Sequence, residues 1–396
     1  MSEPEGGRDD FRHMVRDWLE TNLPARLKGK SDLNVEAIAD DVLAHDVALW
    51  RQRLGEKGWG VPTWPAVYGG GALSADEASI LREEMARIGA CNPIGGIGAW
   101  MLGPTLLEYG TEDQKQRHLP PIARGDIRWC ECYSEPGAGS DLANLQTKCE
   151  DAGDHWLING QKIWTSGAQF ADWCFCLVRT DRTKKHGGIS FVVINMHQPG
   201  IEVRPIKLIS GLSPFCETFF TDARAEKNDM IGPLNGGWTI GKRLLQHERI
   251  SQGGSRTMGI AVSLAELAKA YLDFDAQGRL ADTDLRGRLA RHMMEARAHA
   301  LTIARVAEQA KANLNPPAIS SLMKIVSTRV GQERSELALE IMGSRGLGWG
   351  DEPFTADELA AIRGWLWSKA TTIAGGSAEI QNNIIAKRIL GLPGVT

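Results

Sequence analysis

The chain has 396 residues, 42% of them apolar and 24% charged, with a formal net charge of −4. That length suits two or three packed domains rather than one small core, and the mild acidity argues against a nucleic-acid-binding surface. Residues 1–10 are polar and acidic, which predicts no signal peptide, and the longest apolar run, at 189–196, is far short of a membrane span.

The first 120 residues read as helices. Phe11, Met14, Val15, Trp18 and Leu19 recur at helical spacing. Val35, Ile38, Val42, Val47, Trp50 and Leu54 form a second stripe, closed by Gly58. The stretch 60–71, with Pro62, Pro65 and three successive glycines, predicts an irregular loop. Ser74 with Glu77 forms a capping box for a third helix that ends near Gly89. Thr111 and Gln114 cap a short helix expected to stop before Pro120 and Pro121.

From about Trp129 the period changes. Asn159-Gly160 sits between two alternating runs, 156–158 and 161–164, and predicts a two-residue hairpin turn. Residues 171–179, 189–195 and 201–206 are strand-like, and Phe219 and Phe220 close the section before Gly236 and Gly237. Long amphipathic stretches then occupy 238–274, 285–312 and 318–342. A glycine-rich break follows at 343–350, and shorter helices begin near Thr355 and Ser377. The order predicts an α+β protein: an N-terminal helical domain at 1–127, a β-barrel or sandwich-like domain at 128–235 and a helical bundle at 236–396.

The seven cysteines are odd in number and include no CxxC pair. Cys130/Cys132 and Cys174/Cys176 are spaced to share one face of a strand, with no histidine at ligand spacing. Buried thiols in a reducing cytoplasm are the expectation. No dinucleotide-binding GxGxxG follows a strand, and GxxxxGK[ST], GxSxG and HExxH are all missing. Their lack removes the usual sequence support for a Rossmann fold, phosphoryl transfer, serine hydrolysis and zinc proteolysis.

Four segments carry chemistry. SEPGAGSD, at 134–141, combines small residues, a proline and hydroxyls in a turn whose backbone a flat polar ligand can approach; alone it also reads as an ordinary turn. NGQKIWTSG, at 159–167, places Trp164 beside Thr165 and Ser166, where a ring could be covered and its edge bonded; alone it is also a hairpin with a packed Trp. Glu248-Arg249 lies on a helix, where a solvated face is the plain alternative. TIAGGSAEIQ, at 372–381, leads a glycine pair into a helix start that favours anionic groups, or is only a capped helix.

Together and in this order, these segments resemble the acyl-CoA dehydrogenase family over nearly the whole chain. The detail is similar to large subunits of bacterial heteromeric members acting on pimeloyl-type dicarboxylic or sterol-side-chain CoA thioesters. The resemblance implies an N-terminal helical domain, a middle β domain and a C-terminal four-helix bundle, with FAD between the last two. It implies that Ser134 meets the flavin near N5, with Tyr133, Gly139 and Ser140 in the same loop. Trp164, Thr165 and Ser166 would lie beside the isoalloxazine ring, and Ser377 and Glu379 on the phosphate and adenosine side. The implied reaction removes an α proton from a CoA thioester and passes a β hydride to flavin N5. Many members carry the base where this chain has Gly375; a second arrangement takes it from a Glu-Arg pair on the helix after the β domain. Glu248 matches that base, Arg249 stands beside it at the substrate, and Gly375 offers a backbone N–H to the thioester carbonyl. An electron-transfer flavoprotein is the implied acceptor, and a dimer of dimers the implied assembly. The Arg-x-x-Phe-Gly element that reaches a neighbour's FAD is not recognisable between Phe274 and Leu289, and Glu340 and Ser344 replace a Gln and a Gly. That departure predicts a homo- or hetero-oligomer with altered reciprocal contacts. A non-catalytic partner subunit and a flavin oxidase on the same fold are the alternatives.

Overall fold

The computed structural model describes residues 5–31, 33, 40–252, 262–311, 319–350 and 352–393; side chains at 5–6, 248–252 and 310–311 lie outside the description. The chain divides into two compact units, Met1–Ile206 with Ser213–Leu244, and Lys207–Leu212 with Leu245–Thr396.

The first unit opens with helices α1 (Glu5–Asn22), α2 (Asp41–Glu56), α3 (Ala75–Arg87), α4 (Gly103–Tyr109) and α5 (Glu112–Arg124). The expected stripe of α1 is there, with Val15 and Leu19 fully buried. Asp40 caps α2 through the N–H groups of Val42 and Leu43; Val35 and Ile38 lie outside the described residues. The Ser74/Glu77 box closes as the spacing predicts. Helix α5 corrects the expectation that it stops before Pro120. It runs through both prolines to Gly125, whose left-handed φ of 70° caps it. The prolines forfeit two helical N–H donors, yet Leu119, Ile122 and Ala123 bury an apolar face that holds the turn.

Strands β1 (Trp129–Cys132), β2 (Lys148–Asp151), β3 (His155–Ser166), β4 (Trp173–Arg179), β5 (Ile189–Asn195), β6 (Ile201–Ile206), β7 (Phe215–Glu226) and β8 (Met230–Ile231) follow. Among the described residues they form one sheet in the order β6-β7-β3-β2-β4-β5-β8, with β1 added parallel to β4. The Asn159-Gly160 turn is a second correction. Residues 155–166 are one continuous strand, and the reversal into it falls instead around Gly153, at φ 93°. Asn159 spends its amide across the sheet, its Oδ1 accepting from Asp222 N at 2.9 Å and its Nδ2 donating to Asp222 Oδ1 at 3.0 Å. Gly160 is there for closeness, since a Cβ would stand 2.7 Å from Thr147 Cα. Cys130 faces Cys174 and Cys132 faces Cys176 across β1 and β4, all four fully buried in an apolar core. The helices are tied to the sheet by Gln114 Nε2, which donates to Asn228 O at 2.7 Å and Met230 O at 2.9 Å.

Helix α6 (Gly237–Gln252) begins in the first unit and continues into the second. The second unit then holds α7 (Leu264–Tyr271), α8 (Thr283–Lys311), α9 (Ile319–Met342), α10 (Ala356–Ala370) and α11 (Ala378–Arg388). The amphipathic stretch expected over 238–274 holds α6 and α7. Ser263 and Glu266 form a fresh capping box for α7, a start signal the apolar period hides. Helix α9 packs against α7, α8, α10 and α11, around a core that includes Leu264, Leu337, Ile341 and Ala361. Among the described residues no helix is long and apolar enough to cross a membrane.

Candidate functional site

In the first unit, the 134–141 loop is a tight turn closed by paired backbone bonds between Glu135 and Ala138, at 3.1 and 3.0 Å. Gly139 and Ser140 are exposed and Ser134 is half-buried. A Cβ placed on Gly137 or Gly139 would meet nothing within 4 Å, so the backbone there is bare and approachable. Ser134 O accepts from Ile163 N at 2.9 Å, which fastens the loop to the end of β3.

At that end the pairing of β3 with β7 slips between Lys162 and Thr165. The bulge puts Trp164 at φ 62°, a conformation a bulky residue rarely adopts. The residue stands 53% exposed, and its ring makes an edge contact to Phe215 at 6.0 Å. Ser166 is half-buried. Thr165 faces the other way, fully buried, with Thr218 donating to its hydroxyl at 3.2 Å. The ring of Tyr133 is buried against Phe175 and Phe191, while its carbonyl accepts from Lys162 Nζ at 3.0 Å.

Two residues beneath this surface were not singled out from the sequence. Lys162 is fully buried, and its ammonium also donates to Leu177 O and Glu135 Oε1, both at 2.8 Å. Glu135 in turn accepts from Gln146 N at 2.6 Å and Thr147 N at 2.9 Å. Burial alone would raise its carboxyl pKa; Lys162 and the N–H donors outweigh that and hold it below the ordinary range. Strand alternation was the available signal, since Trp156, Ile158, Gly160 and Lys162 share one face.

In the second unit, Gly375 and Gly376 take left-handed φ values of 67° and 96° ahead of α11. Gln381 Nε2 donates to Gly375 O at 2.8 Å and Lys324 Nζ to Gly376 O at 2.7 Å. Gln381 Oε1 is buried with no hydrogen-bond partner among the described residues. Ser377 caps α11 through Ile380 N. The exposed Glu379 is held below the usual carboxylate range, first by its own backbone N–H and then by Ser377. Glu340 gives both oxygens to Arg288, at 2.6 Å each. Glu248 and Arg249 lie within α6, but their side chains are outside the description.

The features of a flat-ligand site therefore occur in both units. The first has a bare glycine loop, hydroxyls and an exposed aromatic ring on a strained bulge. The second has a glycine turn at a helix start, with an orphaned buried amide oxygen. Both fit a planar cofactor that carries phosphates. The order of helices, then a sheet, then a helical bundle is that of a three-domain α+β protein. The chain matches the N-terminal, middle and C-terminal domains of acyl-CoA dehydrogenase over residues 7–126, 130–223 and 235–390. It belongs to the acyl-CoA dehydrogenase family, oxidoreductases acting on CH–CH bonds, and that membership implies a flavin cofactor. It is 37% identical over 395 residues to acyl-CoA dehydrogenase IpdE1 of Mycobacterium tuberculosis, covering 97% of this chain and 98% of that one. The Tcur3481-Tcur3483 steroid ACAD is similar in structure at TM-score 0.77 and 28% identity, covering 100% of this chain and 99% of that one. The ChsE4-ChsE5 complex of Mycobacterium tuberculosis is similar at TM-score 0.75 and 28% identity, over 100% of both chains.

Proposed function

We propose that the chain is an FAD-dependent acyl-CoA dehydrogenase in which Glu248 removes the α proton of a CoA thioester. The observation that carries the cofactor reading is the bulge that exposes Trp164 beside the bare 134–141 loop. FAD, when bound, supplies the acceptor for the β hydride. The chain does the rest. Trp164 covers a ring face and keeps water out, Ser134 and Ser166 offer hydroxyls at its edge, and the Gly375–Ser377 turn and Glu379 hold the phosphate and adenosine side.

The α proton of a thioester is weakly acidic, so the base must be strong and the developing enolate stabilised. A carboxylate shielded from water has a raised pKa and is the stronger base. Of the two base positions that the family resemblance implies, one is Gly375, which has no carboxylate, and the other is Glu248; the Gly375 backbone N–H then bonds the thioester carbonyl. Arg249 stands beside the base on α6. With no side chain at Gly375 and only a methyl at Ala374, a branch, ring or long polar-ended chain fits close to the reacting carbons. One structural neighbour is a steroid ACAD, which agrees with a bulky acyl group here. Glu340 is spent on Arg288, so the cofactor's far end is completed by an oligomer with an unlike subunit, as the paired names of two neighbours suggest. An electron-transfer flavoprotein takes the electrons onward.

The test is Glu248→Gln. Under anaerobic conditions the variant should keep its yellow cofactor and bind acyl-CoA, while bleaching slows at least ~10²-fold. Near-normal bleaching would sink the assignment.

A further inference from the structure

A lysine ammonium with no exposed surface is costly to keep, and a buried ion pair is weak evidence of stability because well-packed apolar residues often serve as well. Lys162 nevertheless sits fully buried on β3. Its three N–H groups meet three acceptors: Tyr133 O at the end of β1, Leu177 O on β4 and Glu135 Oε1 in the 134–141 loop. Glu135 is bonded just as fully, with Gln146 N and Thr147 N on its other side. The pair thus joins β1, β4, β3 and the segment entering β2 through one point. That point lies next to both halves of the candidate ring site. Glu135 follows Ser134 in the chain, Lys162 precedes Trp164 by two residues, and Ile163 N donates to Ser134 O between them. Either charge, if moved, carries with it a group expected to touch the cofactor.

We propose that Lys162 and Glu135 are positioning residues, a buried ionic pin that fixes the spacing between the Ser134 loop and the Trp164 ring. This rests on the cofactor reading above. Its worth lies in geometry rather than in folding energy: a misplacement of about 1 Å at a positioning contact is enough to weaken binding and turnover sharply.

The test uses the full-length chain in the assembly it forms, stripped of flavin, with Lys162→Met and Glu135→Gln combined. Both charges leave together, so no unpaired ion stays buried, and the Gln carbonyl keeps one of the two backbone bonds, since Gln146 N and Thr147 N reach different oxygens of Glu135. The apo double variant should keep its far-UV circular dichroism and a cooperative melt, at a temperature lowered by the bonds that Tyr133 O, Leu177 O and one backbone N–H lose. FAD affinity, read by quenching of flavin fluorescence, should fall at least ~10-fold. The flavin that does bind should lose fine structure in its visible band. Should the double variant fail to fold, Glu135→Asp supplies the reading. It keeps the charge but shortens the pin, so it should fold and still bind FAD more weakly. An affinity within about two-fold of wild type in whichever variant folds would overturn the pin and leave the cofactor reading intact. A wild-type assembly that takes up no FAD would overturn the cofactor reading itself.

Discussion

Trp164 is the residue where local rules and function part company. A large aromatic residue at φ 62° and about half exposed gains little for the fold. Left-handed backbone at a non-glycine residue costs about 1–2 kcal/mol, and an edge contact to Phe215 offsets about 0.5–1.5 kcal/mol of that. Asn tolerates the same backbone far better. Trp164→Asn should therefore leave the melting temperature within about 3 °C of wild type while FAD affinity drops at least ~10-fold. Differential scanning calorimetry on the apo protein, beside a flavin titration, checks both halves. A large loss of stability with normal FAD binding would make Trp164 a packing residue.

At the scale of elements, β3 decides the shape of the site. Gly160 lets β3 and the segment entering β2 approach so closely that a Cβ would stand 2.5 Å from Thr147 Oγ1 and 2.7 Å from Thr147 Cα. Backbone cannot swing away as a side-chain tip can. Gly160→Ala should therefore destabilise the protein by ~1–3 kcal/mol, measured by urea denaturation. Thr147 N also donates to Glu135, so weaker FAD binding should accompany the loss. The same strand shows what the sequence conveyed and what it did not. Alternation placed a strand on either side of Asn159-Gly160, and the Ser74/Glu77, Thr111/Gln114 and Ser377 caps were all readable as local chemistry. The continuity of β3 through Asn159 and the end of α5 were not, because a distant partner overrides the local signal. Asn159 answers to Asp222 on another strand, and Pro120 sits in a helix held by its buried face. The segments around Trp164 and Ser377 stood out by composition. The pin beneath them did not, because nothing in a lysine's immediate neighbours says that three carbonyl and carboxylate oxygens will converge on it.

Across the whole molecule, each unit contains a nearly buried carboxylate caged by arginine. Glu84 accepts from Arg16, Arg87 and Arg12, and Glu358 from Arg345, Tyr271 and Thr355 N. Bonding, led by Arg16 in one case and Arg345 in the other, outweighs burial and lowers each carboxyl from 4.5 to about 2. Both groups titrate lower folded than unfolded. Their contribution is therefore fully present above pH 4.5 and is lost as pH falls toward 2. Glu84→Gln should melt lower than wild type at pH 7, with the gap closing between pH 4.5 and 2; a gap that stays constant over that range would contradict the assigned linkage. The cysteines divide the two units in another way. All seven are buried and all belong to the first unit, while Lys207–Leu212 and Leu245–Thr396 contain none. A thiol-labelling reagent is thus a clock for one unit alone: it stays idle while the helices and sheet hold together, records their opening by uptake, and passes over the bundle in silence.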